Sequence, residues 1–156
     1  MFFFRAYGRP AAQGSKRYLG NGRFVEASKY LKPWRETLST AIWAAQETYK
    51  TQNGDYARFT DPVIVEAVFL MAKPKSVARL WPGISPDLDK LQRALGDALE
   101  TDTGLLESDS LIVAWKASKI YTYPEHSGVV CSIRMATQED LDDLNNTLGT
   151  YEQPNN

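Results

Sequence analysis

Residues 87–112 constrain the fold more than any other stretch of the chain. Leu88, Leu91, Leu95, Ala98 and Leu99 recur at helical spacing, while Lys90, Arg93, Asp97 and Glu100 fall largely away from that face. The spacing predicts an amphipathic helix. Pro86 biases Ser85 away from helical dihedrals, and Asp89 with Gln92 three residues on reads as a capping box, so Asp87 lies before or at the helix start.

Two acids one residue apart point about 200° from each other inside a helix but share a side in extended chain. At a helix start, Asp87 and Asp89 can therefore aim at one point. A hard cation such as Mg²⁺ takes carboxylate oxygens, usually from one or two side chains completed by waters and substrate phosphate. Asp87, Asp89 and Asp109 offer that chemistry. Acids in a first helical turn are equally expected from capping and the helix dipole, so the spacing alone leaves both readings open.

The run Pro-Asp-Leu-Asp-Lys-Leu-Gln-Arg-Ala-Leu-Gly-Asp-Ala-Leu, then Gly104, then Ser-Asp-Ser-Leu-Ile, resembles the signature of the RusA family of crossover junction endodeoxyribonucleases. That pattern is Pro-Asp-Leu-Asp-Asn-Leu, a Lys one turn on, Asp-Ala-Leu, a Gly, then Asp-Asp before an apolar strand. The likeness is close over residues 85–122. It implies that Asp87, Asp89 and Asp109 are the catalytic acids and hold the metal. It also puts Arg93 on the catalytic Lys and Lys119 on a basic residue of the following strand. Lys90 replaces the usual Asn, Ser108 the first Asp of the pair, and Arg93 the Lys. An always-charged guanidinium holds phosphate but does not donate a proton as a Lys can, so Arg93 is expected to stabilise charge. The N-terminal Gly-Arg-Pro-Ala-Ala-Gln-Gly-Ser-Lys-Arg is similar to the family's Gly-x-Pro-x-x-x-Gly-x-x-Arg loop. The resemblance further implies a homodimer acting on four-way junctions by paired symmetric nicks, with Mg²⁺, Mn²⁺ as a substitute, and no organic cofactor.

A chain of 156 residues, 43% hydrophobic and 24% charged, suits one domain with a real core. Cys131 and His126 are the only residues of their kinds, which excludes thiolate clusters and multi-histidine zinc sites. Cys131 lies in an apolar run and reads as a core thiol. The opening Met1–Phe4 is broken by Arg5, and no apolar run approaches a membrane span or a signal peptide. The expectation is a cytoplasmic protein without membrane association.

The net charge of −1 conceals polarity. Residues 1–136 hold all 18 Lys and Arg against 14 acids, and residues 137–156 hold five acids and no base. Basic residues cluster most in residues 1–35, as expected of a chain that meets a phosphate backbone. Arg9, Lys16, Arg17, Arg23, Lys73, Lys75, Arg79, Lys90, Lys116 and Lys119 are the candidate DNA contacts. Lys116 and Lys119 could equally be the polar side of a half-buried strand.

In chain order, the patterns predict a strand over 2–8, a hairpin over 16–27 around Gly20-Asn21-Gly22, and a helix from Ser28 or Pro33 to Lys50. A buried strand over 63–70 precedes a Pro-rich basic loop, 73–86, expected to be mobile and to approach the active site. Its Trp81 either stacks on an unpaired base or pins the loop to the core. Strands over 111–123 and 128–135 are expected to pair across the turn at Pro124–Ser127. Thr137 with Asp140 caps a last helix to 148, whose Glu139, Asp142 and Asp143 face solvent.

The fold expected is α+β, a single RusA-like domain over 1–148 built as a mixed β-sheet with helices packed against it, followed by a disordered acidic and polar tail over 149–156. The function expected is Mg²⁺-dependent cleavage of branched DNA. A binding protein that has lost the chemistry, or a less selective flap or fork nuclease, are the alternatives.

Overall fold

The computed structural model describes residues 1–14, 16–26 and 29–152. Six strands and three α-helices follow the chain as β1 (Phe2–Tyr7), β2 (Lys16–Gly20), β3 (Arg23–Glu26), α1 (Leu31–Asn53), β4 (Val63–Ala72), α2 (Leu88–Asp97), β5 (Ile112–Thr122), β6 (Gly128–Met135) and α3 (Gln138–Glu152). β2 and β3 form a separate hairpin, and the other four make one mixed sheet in the order β1-β6-β4-β5. β4 pairs antiparallel with β6 and parallel with β5.

That order corrects one expectation. β5 and β6 are joined by the short 3-10 turn Pro124–His126 yet do not pair, because β4 lies between them. The residues account for it: Val63, Ile64, Val65, Ala67 and Phe69 are all buried, as suits a strand with neighbours on both sides. β5, with Lys116 exposed and no residue fully buried, occupies the edge.

One sheet face carries the core. Phe2, Phe4 and Ala6 of β1 alternate with exposed or half-exposed neighbours, and Val129, Cys131 and Ile133 of β6 continue the same layer. α1 covers it with Trp34, Leu38 and Ile42, and α2 with Leu91, Ala94 and Leu95. Burial pushes the Cys131 thiol up, as befits an unreactive core residue. The buried Gln46 of α1 is satisfied by Ala57, giving its Nε2–H to the carbonyl and accepting the N–H, which fixes the return of the chain after the helix. Gly54 ends α1 in the left-handed region at φ 88°.

α2 ends at Asp97, two residues short of the last expected core position, and a π-helical turn, Ala98–Asp102, carries the apolar face onward through buried Ala98 and Leu99. Thr103 Oγ1 donates to the Ala98 carbonyl and closes this wide turn. α3 begins with the reciprocal bonds expected of Thr137 and Asp140. It runs to Glu152, so residues 149–152 are helical rather than tail, and 153–156 lie outside the described residues. Among the described residues no helix is long and apolar enough to cross a membrane.

Candidate active site

α2 is the platform of the site. Its apolar face is buried at Leu91, Ala94 and Leu95 and partly at Leu88, and the stripe Asp89, Gln92, Arg93, Gly96 and Asp97 lines a cavity of about 240 Å³. Asp109, Ile112 and Trp115 close that cavity from the start of β5. Two of the three expected acids, Asp89 and Asp109, thus meet across one space with Arg93. Asp97 joins them two turns along α2, and helical spacing from Asp89 was the signal that could have found it.

Asp87 stands apart. It is the N-cap residue of α2 in extended conformation and makes no side-chain cap bond, nor is a capping box formed by Asp89 and Gln92. Its carboxylate lies 3.5 Å from Lys90 Nζ and faces a second, larger cavity of about 550 Å³. The extended backbone at Asp87 gives way to helix at Leu88, which turns the two acids to different sides. Among the described residues no three His, Cys, Asp or Glu side chains gather closely enough to enclose a metal ion. A pair of carboxylates completed by water and a phosphate oxygen is nevertheless the usual Mg²⁺ arrangement, and Asp89 with Asp109 has that chemistry.

Several further residues hold the site in place. Glu100, in the π-helical turn, accepts the backbone N–H of Asp109 at 3.1 Å. Ser108 accepts the N–H of Ser110 and caps the 3-10 turn Asp109–Leu111 that presents Asp109. Gly14, at φ 92°, lies against the Arg93 guanidinium where any Cβ would collide with it. The same loop is tied to α2 by Gln13, whose backbone N–H donates to the Lys90 carbonyl at 3.1 Å and whose side chain donates to Asp97. Arg35 forks onto Asp102 at 2.6 and 2.8 Å, and that carboxylate holds its guanidinium above the ordinary value.

The expected DNA contacts fall into two groups. Arg9, Lys90 and Lys119 line the larger cavity, and Arg79 and Lys73 approach Tyr121 on its wall, at 3.0 Å to the hydroxyl and 5.7 Å to the ring. Lys75 and Arg23 are exposed elsewhere, and Lys116 pairs with Glu66 at 3.2 Å. The side chains of Lys16 and Arg17 lie outside the described residues. Lys119 is occupied, its Nζ donating to the carbonyls of Ile84 at 2.6 Å and Pro86 at 2.7 Å. It therefore pins the end of the 73–86 loop directly before Asp87. Trp81 in that loop is 66% exposed, so it does not anchor the loop to the core.

No curated protein matches the chain. A family model described as Endodeoxyribonuclease RusA matches residues 8–134, from the loop that meets Arg93 to the end of β6, and the acids on α2 and before β5 lie within it. The chain belongs to the RusA endodeoxyribonuclease family.

Proposed function

We propose that this protein resolves four-way DNA junctions by paired, symmetric, metal-dependent nicks. The observation that carries this reading is the cavity where Asp89 and Asp109 face each other beside Arg93, in a chain of an endodeoxyribonuclease family. Asp89 and Asp109 would hold a divalent cation, Mg²⁺ with Mn²⁺ as substitute, which would supply an activated water and neutralise phosphate charge. Asp87, two residues before Asp89, is the third acid of this set, and in the free chain its carboxylate lies beside Lys90 at the neighbouring cavity. Arg93 gives a fixed positive donor to the phosphate as negative charge develops, without giving up a proton. Lys73, Arg79, Lys90 and Arg9 flank the acids and hold the backbone of the branched substrate.

A two-fold junction is matched by a two-fold dimer, the commonest oligomer. α3 supports such a dimer. Leu141, Leu144, Leu148 and Tyr151 recur at spacings of three and four and are all more than half exposed. This is the seam of a helix pair with no partner within the described residues of its own chain. The acids Glu139, Asp140, Asp142 and Asp143 crowd its first half while the second half carries Glu152 alone, so an antiparallel pair with a second copy brings fewer like charges together than a parallel one.

The test is cleavage of a labelled immobile four-way junction and of linear duplex, with Mg²⁺ or with chelator, comparing the native chain with Asp89→Asn. Symmetric nicks confined to the junction, the metal and the intact Asp89 are expected. Tight junction binding without nicks under any divalent cation would replace this reading with a non-catalytic branched-DNA binder. Equal cutting of both substrates would remove junction selectivity.

A further inference from the structure

The larger cavity, lined by Asp87, lies beside the one that Asp89 and Asp109 line. We propose that it receives an unpaired nucleobase from the nucleotide next to the scissile phosphate, so that one base at the branch point is drawn out of the stack and held while its neighbour is cut. This rests on the cutting reaction proposed above. The cavity, about 550 Å³, is of the size that takes whole small ligands, roughly 300–1,000 Å³. Its walls are flat and apolar, from Tyr30, Tyr121, Met71 and several prolines, which suits a π-face and offers little to a sugar or a metal.

Charge selects a nucleotide over another planar apolar guest. Arg9 and Lys90 line the cavity with Asp87 as the lone acid there, and Arg79 and Lys73 sit at Tyr121. The Arg9 guanidinium lies 3.6 Å over the Tyr30 ring, a cation fixed beside an aromatic wall. Position completes the argument. Asp87 faces this cavity and Asp89 the metal cavity, and residues two apart lie within about 7 Å along any chain, close to one nucleotide step along a strand. A phosphate at Asp89 therefore puts the adjoining base at the mouth beside Asp87. Drawing a base out is costly, and the cost is lowered where stacking on one side is already interrupted, as at the open exchange point of a junction. Lys119 keeps the cavity formed by pinning the Ile84–Pro86 wall.

The test measures junction affinity by fluorescence anisotropy in chelator, so it needs no cleavage. Junctions are intact or carry an abasic site at either nucleotide flanking the exchange point, and proteins are the native chain, Tyr121→Ala and Ala72→Trp, each checked for native circular dichroism. Ala72 is exposed and lines the cavity, so its replacement by Trp narrows the space without touching the core. The native chain is expected to lose roughly tenfold in affinity at one of the two abasic positions, and both variants to bind intact and abasic junctions alike. Equal binding of all junctions by the native chain overturns the pocket while leaving junction resolution in place, and so does a loss that persists in either variant. Failure of the native chain to bind any junction overturns both proposals.

Discussion

At the residue scale, the site depends on contacts that a reader of charge alone would pass over. Gly14 holds a left-handed conformation with the Arg93 guanidinium against it, so Gly14→Ala carries a backbone cost of about 1–2 kcal/mol and displaces the guanidinium that lines the cavity with Asp89 and Asp109. Nicking by Gly14→Ala is expected to fall at least tenfold with the fold retained, and Gly14→Ala with Arg93→Lys to recover part of it, because a thinner head relieves the collision. Undiminished nicking by the single variant would show that Arg93 is not held by this loop. Glu100 acts through Asp109, whose N–H it accepts. Glu100→Ala should slow nicking several-fold with substrate affinity unchanged, and Glu100→Gln, which keeps an acceptor, should restore it. A rate that falls equally in both variants would point to the charge of Glu100 rather than its bond.

At the element scale, local patterns were legible and long-range ones were not. The helices and strands were readable because each carries its own periodicity, and α2 displayed Asp89 and Arg93 one turn apart on its face. The strand order was not readable from the turn at Pro124–Ser127. The continuous apolar run of β4 was the signal for a central strand, and it outweighed chain proximity. Glu100 shows its polar side in the sequence but not its role, because its bond to the Asp109 N–H links a π-helical turn to a residue nine positions on and leaves no local pattern. α3 shows the opposite case, a capping pair read correctly whose partner across the fold was not. Arg134 of β6 forks onto Asp140 at 2.7 and 2.8 Å, and with the Thr137 N–H it holds the Asp140 carboxyl well below the usual carboxylate range. A depressed carboxyl stabilises fully above its ordinary value of 3.8, and its contribution fades as pH falls below that value. The first turn of α3 is therefore expected to fray in acid before the sheet does, and Asp140→Asn to fray it already at neutral pH. Cα chemical shifts of residues 138–143 would show this; acid-insensitive shifts would rule out the Arg134 anchor.

At the scale of the whole molecule, one chain with one candidate active site makes one cut, and the symmetric pair of cuts proposed above needs a second copy held in fixed relation to the first. The α3 seam is a short one: two helices of 15 residues bury less than the roughly 1,200–2,000 Å² of a stable interface. A dimer resting on it is in concentration-dependent exchange, and junction DNA, which holds both copies on one molecule, drives it toward the paired state by raising their effective concentration. Leu144→Asp puts a charge into the centre of the seam while the residue stays exposed in the single chain, so the fold has no reason to change. Sedimentation is expected to show the native chain shifting toward twice its mass with concentration and Leu144→Asp remaining at 17.5 kDa. On a circularised junction substrate, the variant should still nick either strand, but the second nick should lag the first, because each cut now needs its own binding event. Coupled nicks from a chain that stays monomeric throughout would mean that the two-fold relation comes from the DNA alone and that α3 serves some other partner.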